Sequence, residues 1–159
     1  MMEQTAVELR QCLDLLEDIE ASYPKGVFDR EMLHGEMDFR YRRIHEMRQK
    51  LESFSPLVRR FAGFVHALRD ERKLLGHLLK LLLEQPRFFA ASALQGHAGL
   101  LQCVNGLAKT ISGRPAEIMK VLGRMRLAGI VDKEYAMCED FRSLVSAYLM
   151  EEGPLNGSA

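Results

Sequence analysis

The sequence is poor in the residues that mark several protein classes. It has no Trp and only five Pro and twelve Gly in 159 residues, which excludes collagen-like and low-complexity chains. Its three cysteines are odd in number and lack Cys-x-x-Cys spacing, which argues against a disulfide framework or a zinc site. Cys12, Cys103 and Cys138 each lie among apolar residues at helical spacing. We interpret them as small buried hydrophobes, with a redox-sensing thiol as the alternative.

Long apolar runs are also missing. The most apolar stretch, Leu74 to Leu83, is interrupted by His77 and Lys80 and is shorter than a membrane span of roughly 20 residues. The N-terminus, Met1-Met2-Glu3-Gln4, lacks the basic and apolar regions of a signal peptide. We therefore expect a cytoplasmic protein with no membrane partner.

Net charge is zero, but it is unevenly distributed. Residues 1–39 carry three Lys or Arg against ten Asp or Glu, whereas residues 40–85 carry eleven against five and residues 86–134 carry seven against three. This pattern suggests internal pairing or a basic face turned to an acidic partner. Zero net charge weakens the case for strong nonspecific nucleic-acid binding but leaves room for a local basic face.

Apolar residues recur every three or four positions along most of the chain, and the alternation typical of strands is absent. This predicts an all-α fold, either a helical bundle or long antiparallel helices, followed by a C-terminal helix-turn-helix with room for a minimal β wing near residues 130–137. We expect an N-terminal helical region (1–85) that supplies core, dimerisation or partner binding. A helix-turn-helix-like region (86–151) follows, and residues 152–159 have the composition of a disordered tail.

Helix ends can be assigned in the N-terminal region. The first helix is predicted over residues 3–22, and the second begins with Asp29 as its N-cap and continues to about residue 54, with Tyr41 filling a gap in its apolar stripe. Ser55 and Pro56 suit the N-cap and first residue of a third helix that ends near residue 84. The charged residues 69–73 within it indicate either a solvated turn of one long helix or a hinge between two.

The second half begins with a short helix predicted over 87–97. The segment LAKTISGRPAEIMKVLGRMRLAGIV, residues 107–131, contains the end of one helix, a Ser-Gly turn and a second amphipathic helix from Pro115. That helix has Ile118, Val121, Leu122 and Met125 at the spacing of a buried stripe. Gly129 suits its left-handed C-terminal position. A last helix is predicted from about residue 138 to 150.

This segment resembles the winged helix-turn-helix of MarR-type and related bacterial regulators. The resemblance rests on Leu107-Ala108, Ile111, the spaced aliphatics of the second helix and Gly129-Ile130-Val131, and it covers about 25 residues. It implies a recognition helix that enters the major groove of double-stranded DNA. The residues implied as DNA contacts are Lys109, Ser112, Arg114, Glu117, Lys120, Arg124 and Arg126, with Arg114 or Lys120 at guanine edges and Lys109, Ser112 or Arg126 at phosphates.

Other candidate sites are weaker. The run FRYRRIHEMRQK, residues 39–50, could contact phosphates, but it equally fits a helix with aromatics inward and arginines in solvent. No two histidines have the spacing that puts two zinc ligands on one helix face, and no phosphate loop or nucleophile motif is present. We expect neither a metal nor a cofactor, and we expect a protein that is not an enzyme.

The sequence is therefore compatible with two functions. The first is a DNA-binding transcriptional regulator, a homodimer or one joined to a protein partner through its N-terminal helices. The alternative is a non-enzymatic helical adaptor or chaperone-like interaction module. The nine methionines suit such an adaptable apolar surface.

Overall fold

The protein is all-α, as predicted. The computed structural model describes the backbone of residues 2–23, 34–111 and 113–157 and the side chains of residues 4–23, 39–111 and 113–151. Short 3-10 turns at Arg69–Glu71 and Glu139–Phe141 separate some of the helices. The described residues form eight α-helices: α1 (Met2–Ser22), α2 (His34–Leu51), α3 (Pro56–Ala67), α4 (Arg72–Glu84), α5 (Phe88–Ala93), α6 (His97–Ala108), α7 (Pro115–Ala128) and α8 (Arg142–Gly157).

α2 packs on α1 through a narrow apolar stripe. Ile44 and Met47 of α2 are buried with Ile19 of α1 in a small cluster of their own. The prediction that Tyr41 fills the stripe is wrong, since half of this residue is exposed (50%). α1 is the main neighbour of α2, and Ile44 and Met47 are the residues of α2 that this contact buries. The predicted N-cap Asp29 lies outside the described residues.

The predicted third helix is divided into α3 and α4, so the hinge alternative is correct. Ser55 caps α3 as expected, because its Oγ accepts a hydrogen bond from Val58 N at 3.2 Å, and Pro56 follows as the first helical residue. At the other end, Arg69 Nη1 donates to the His66 carbonyl at 2.8 Å. That carbonyl lies in the last turn of α3, so the Arg69 side chain adds a hydrogen bond at the end of the helix.

One large hydrophobic core joins the two predicted regions. It contains buried residues of α1, α3, α4, α6, α7 and α8 on both sides of the predicted boundary at residues 85–86. Phe61 of α3 lies at its centre with no exposed surface, and its ring lies 6.4 Å from that of Phe141 and 5.9 Å from that of Tyr148, centroid to centroid. Regions 1–85 and 86–151 therefore share a core.

The last helix and the acidic first helix both contribute buried residues to this core. α8 packs on α1 and α4 and continues to Gly157, so residues 152–157 extend a helix where composition suggests a disordered tail. On α1, Glu20 accepts hydrogen bonds from Arg69 at 2.8 Å and contacts His66 Nε2 at 2.6 Å. Acidic α1 thus pairs with part of the basic centre. In the part of the chain that is described, no helix is both long and apolar enough to cross a membrane.

Candidate nucleic-acid interface

The turn between α6 and α7 is packed closely against α4. A Cβ on Gly113 would lie 3.0 Å from Cδ1 of Leu74, so a larger residue there would push that leucine aside. Arg114 follows as the exposed N-cap with extended backbone, φ −89° and ψ 147°, and Pro115 is the first helical residue. Ser112, a predicted phosphate contact, lies outside the described residues.

α7 buries one face completely and leaves the other open. It packs against α3 and α6. The helix ends at Gly129, whose φ of 79° is the left-handed conformation that glycine adopts without strain. The four predicted stripe residues have no exposed surface: Ile118, Val121, Leu122 and Met125. The prediction of this helix, its buried stripe and its end is confirmed.

Three predicted DNA contacts share the outward face of α7. Glu117, Lys120 and Arg124 are all exposed, and their separations of three and four residues make them neighbours on a helix. Lys109 is exposed in the preceding turn. The outward face therefore presents charged groups to solvent while the opposite face anchors the helix in the core.

Lys120 has a partner that the sequence analysis did not identify. Its Nζ lies 2.6 Å from Oε1 of Glu71, in the 3-10 turn between α3 and α4. Both side chains retain exposed surface, so the pair contributes on the order of 0–1 kcal/mol to stability. Glu71 is 49 residues away in the chain, and no local pattern connects the two residues. The outward face of α7 thus has a carboxylate at its edge.

Arg126 lies on a different side of α7 from Arg124. Two residues along an α-helix correspond to about 200° of rotation. The Arg126 guanidinium lies over the ring of Tyr135, 5.5 Å from its centroid. The structure therefore separates this predicted phosphate contact from the outward face and positions it beside the segment that follows α7.

That segment is a turn closed by one isolated antiparallel bridge, and we call it the hairpin. Val131 and Met137 form an antiparallel bridge, and Asp132 N donates to Ala136 O at 2.9 Å. The Asp132 carboxylate also accepts a hydrogen bond from Ala136 N at 3.1 Å. Asp is favoured in turns because its side chain can bond to nearby backbone groups in this way. Tyr135, in the loop, has a φ of 66°. The described residues form this single bridge and no strand, so the structure does not confirm a β wing.

The cysteines differ in how deeply they are buried. Cys12 is fully buried, and burial raises the pKa of its thiol to about 11, partly offset by nearby Arg59. Cys138 is half-buried, and its pKa is raised by burial and by the charges of Asp132 and Asp140. A thiol is reactive as its thiolate, so both environments suppress reactivity at neutral pH.

We expect Cys12 to resist alkylation in the folded protein. At pH 8, a pKa near 11 instead of 9.0 leaves about one hundredth of the thiolate, and the side chain has no exposed surface. Mass spectrometry after a time course with iodoacetamide should show modification at Cys103 or Cys138 well before Cys12. In urea, all three should react at similar rates. Equal rates in the folded protein would contradict the burial of Cys12.

The described residues offer few other arrangements with evident chemistry. No three His, Cys, Asp or Glu side chains among them gather into a group that could hold a metal ion. Two surface clefts are present, one between α1 and α8 and one between the start of α6 and the hairpin. The charged outward face of α7 and the adjacent hairpin therefore form the candidate site. No family model, curated protein or solved structure matches this chain.

Proposed function

We propose that this protein is a DNA-binding transcriptional regulator, with α7 as the helix that enters the major groove. One observation carries the proposal: α7 buries its apolar face completely, presents charged side chains outward and is followed directly by a hairpin. The order of α5, α6, a turn, α7 and a hairpin fits a winged helix-turn-helix. A B-DNA major groove is about 12 Å wide and admits one helix.

Each cation has a role that suits its position. Arg114 precedes the first turn of α7, where a recognition helix meets base edges, and an arginine there can bond guanine O6 and N7 together. Arg124 lies on the outward face, and Glu117 on the same face could accept from a cytosine amino group. Arg126, beside the hairpin, is suited to a flanking phosphate.

Dimerisation would strengthen such binding. Two copies joined through their N-terminal helices would present two α7 helices to two half-sites about one helical turn of DNA apart. A single α7 carries few cations, and the chain has zero net charge. The second half-site would therefore supply affinity that nonspecific attraction does not.

The direct test is fluorescence anisotropy with mixed genomic duplex fragments between roughly 50 and 200 mM salt. Phosphate contacts release counterions, so we expect the logarithm of the association constant to fall steeply with the logarithm of salt concentration. A folded protein that binds no duplex at the lowest salt would overturn the proposal.

Glu71 should restrain DNA binding, because it holds the ammonium of Lys120. Replacing Glu71 with Gln removes that carboxylate and should tighten DNA binding about two- to fivefold, since exposed ion pairs are worth roughly 0.2–1 kcal/mol. Glu46→Gln on α2 is the matched control, because it removes the same charge from an exposed position on a helix whose main neighbour is α1. Equal effects of the two changes would show that only net charge matters.

A specific observation favours an adaptor as the second candidate. Leu127 is 84% exposed, and it lies seven residues, about two turns, after Lys120 on the outward face of α7. An apolar side chain flanked by charges suits the anchor of a protein interface. If α7 binds protein, Leu127→Ser should abolish capture of the partner. If α7 reads DNA, the same change should have a smaller effect than loss of the arginines.

A further inference from the structure

The outward side of α2 carries exposed aromatic residues. Ile44 and Met47 are the residues of this helix that are buried against α1. Phe39 and Tyr41 are instead exposed, at 65% and 50% of their surface. The sequence of this basic run left open whether its aromatics lie inward or meet solvent. The structure excludes the arrangement in which the aromatics lie inward and the arginines alone meet water.

The two rings flank a positive charge. Two residues along an α-helix correspond to about 200° of rotation, so Phe39 and Tyr41 lie on opposite flanks of α2. Arg42 is exposed and lies between these flanks, on the side of the helix that faces away from Ile44. An exposed guanidinium therefore lies between two exposed aromatic rings within about one helical turn.

Further positive charge lies beside the Phe39 ring. Arg43 and Lys50 are exposed and lie within about 40° of Phe39 around the helix. Among the described residues, none of Arg42, Arg43 and Lys50 forms an ion pair. Glu46 is the one carboxylate in residues 39–50. This side of α2 therefore attracts a polyanion, and its cations need not give up another partner to bind one.

The aromatic rings decide which polyanion fits this surface. A single-stranded nucleic acid offers phosphates together with unpaired bases, and such bases stack on exposed aromatic side chains. In a duplex the bases are stacked on one another, so the two rings would have no such partner. An anionic membrane is bound by a helix with a continuous apolar face. The apolar stripe of α2 is already buried against α1, so a membrane fits this surface less well.

We propose that single-stranded RNA binds the α2 surface formed by Phe39, Tyr41, Arg42, Arg43 and Lys50. One base stacks on each ring, and Arg42 holds a phosphate between the two bases. The hydroxyl of Tyr41 can bond to a ribose 2′-hydroxyl, a group that DNA lacks. This activity is separate from the proposed binding of duplex DNA by α7 and does not rest on it.

The test is fluorescence anisotropy of the purified full chain with a labelled uridine RNA of about twelve nucleotides, a length within the usual range of such sites. The comparisons are the duplex of this RNA with its complement, inorganic polyphosphate and a deoxyuridine strand of the same length. At about 50 mM salt, the duplex and polyphosphate should each bind at least about tenfold more weakly than the RNA strand, because neither offers unpaired bases. The deoxyuridine strand should bind about two- to fivefold more weakly. No binding of the RNA strand, or equal binding of any comparison, would overturn the proposal.

Variants locate the RNA surface. Phe39→Leu with Tyr41→Leu should weaken RNA binding at least about tenfold, because leucine keeps apolar bulk but offers no ring for stacking. Both side chains are exposed, so the fold should survive, and circular dichroism checks this. Arg42→Ala with Arg43→Ala should make the plot of the logarithm of the RNA association constant against the logarithm of salt concentration less steep, by about 0.7 for each lost phosphate contact. Unchanged RNA binding in the leucine pair would contradict stacking on these rings.

The α7 variants separate this proposal from the proposed binding of duplex DNA. Arg114→Ala with Arg124→Ala should leave RNA binding within about twofold, because distant sites act independently. The leucine pair on α2 should likewise leave binding of duplex DNA within about twofold. If either pair weakens both activities equally, the α2 surface is not a separate site. Failure of duplex binding alone leaves the RNA result intact, since the RNA titration contains no duplex DNA.

Discussion

Replacing Phe61 with Ala is expected to lower the free energy of unfolding by about 3–5 kcal/mol, the usual cost of truncating a fully buried aromatic side chain. Phe61 has no exposed surface, and its ring contacts Phe64, Phe141 and Tyr148. The loss is a large part of the roughly 5–15 kcal/mol that stabilises a typical domain. It should lower the melting temperature by about 6–20 °C in a chain of this length.

Urea and thermal unfolding followed by circular dichroism would measure this effect. Phe39→Ala is the matched control, because Phe39 is 65% exposed, and its truncation should change stability by no more than about 0.5 kcal/mol. The unfolding of Phe61→Ala should remain a single transition, since one core contains residues from both halves of the chain. Two transitions, or a loss below about 1 kcal/mol, would contradict a shared core centred on Phe61.

The double variant Arg114→Ala with Arg124→Ala is expected to weaken DNA binding about 100-fold. Each arginine in a good base contact contributes about 1–3 kcal/mol of discrimination, and two losses near the low end of that range, about 1.4 kcal/mol each, combine to roughly that factor. If the two side chains bind phosphates instead, the plot of the logarithm of the association constant against the logarithm of salt concentration should also become less steep. Its slope should change by about 0.9 for each lost contact. Anisotropy across the salt range distinguishes the two roles.

The matched control for this pair is Arg42→Ala with Arg43→Ala. These two arginines are also exposed, and they lie in the basic run on α2, the other stretch considered for phosphate contacts. The control removes the same charge, so it should change affinity less than about threefold if α7 makes the contacts. If the control loses as much affinity for DNA as the α7 variant, then either the interface lies on α2 or binding depends only on net charge.

Local patterns predicted the parts of this fold that local chemistry determines. The buried stripe of α7 follows from the spacing of Ile118, Val121, Leu122 and Met125, and the start of α3 follows from the Ser55-Pro56 pair. A helix cap or a buried apolar stripe depends on residues only a few positions apart, so a short segment of sequence is enough to predict it.

Contacts between distant segments could not be predicted in the same way. The charged residues 69–73 were compatible with both a solvated turn and a hinge, and the break at Arg69–Glu71 separates two helices that both contribute to one core. The same holds for the pairing of Lys120 with Glu71. Tyr41 is exposed, whereas Ile44 and Met47 are the α2 residues buried against α1, and this depends on how the two helices are placed against each other.

The outward position of charged residues on α7 was predictable from the sequence, but the contacts that these residues make were not. A helical pattern places Lys120 and Arg124 outward, and the structure agrees. The separation of Arg126 follows from helical rotation, but its contact with Tyr135 depends on how the hairpin folds back. The cleft beside that contact brings together residues of α5, α6, α7 and the hairpin, so no single stretch of sequence reveals it.

The most direct test of the central claim is lysine acetylation of the intact protein, with and without duplex DNA, read by mass spectrometry. Lys109 and Lys120 lie in the turn before α7 and on its outward face, whereas Lys50 and Lys80 are also exposed but lie on α2 and α4. If α7 enters the groove, DNA should slow modification of Lys109 and Lys120 several-fold and leave Lys50 and Lys80 unchanged. Equal protection of all four lysines, or protection of Lys50 alone, would contradict the proposal that α7 reads DNA.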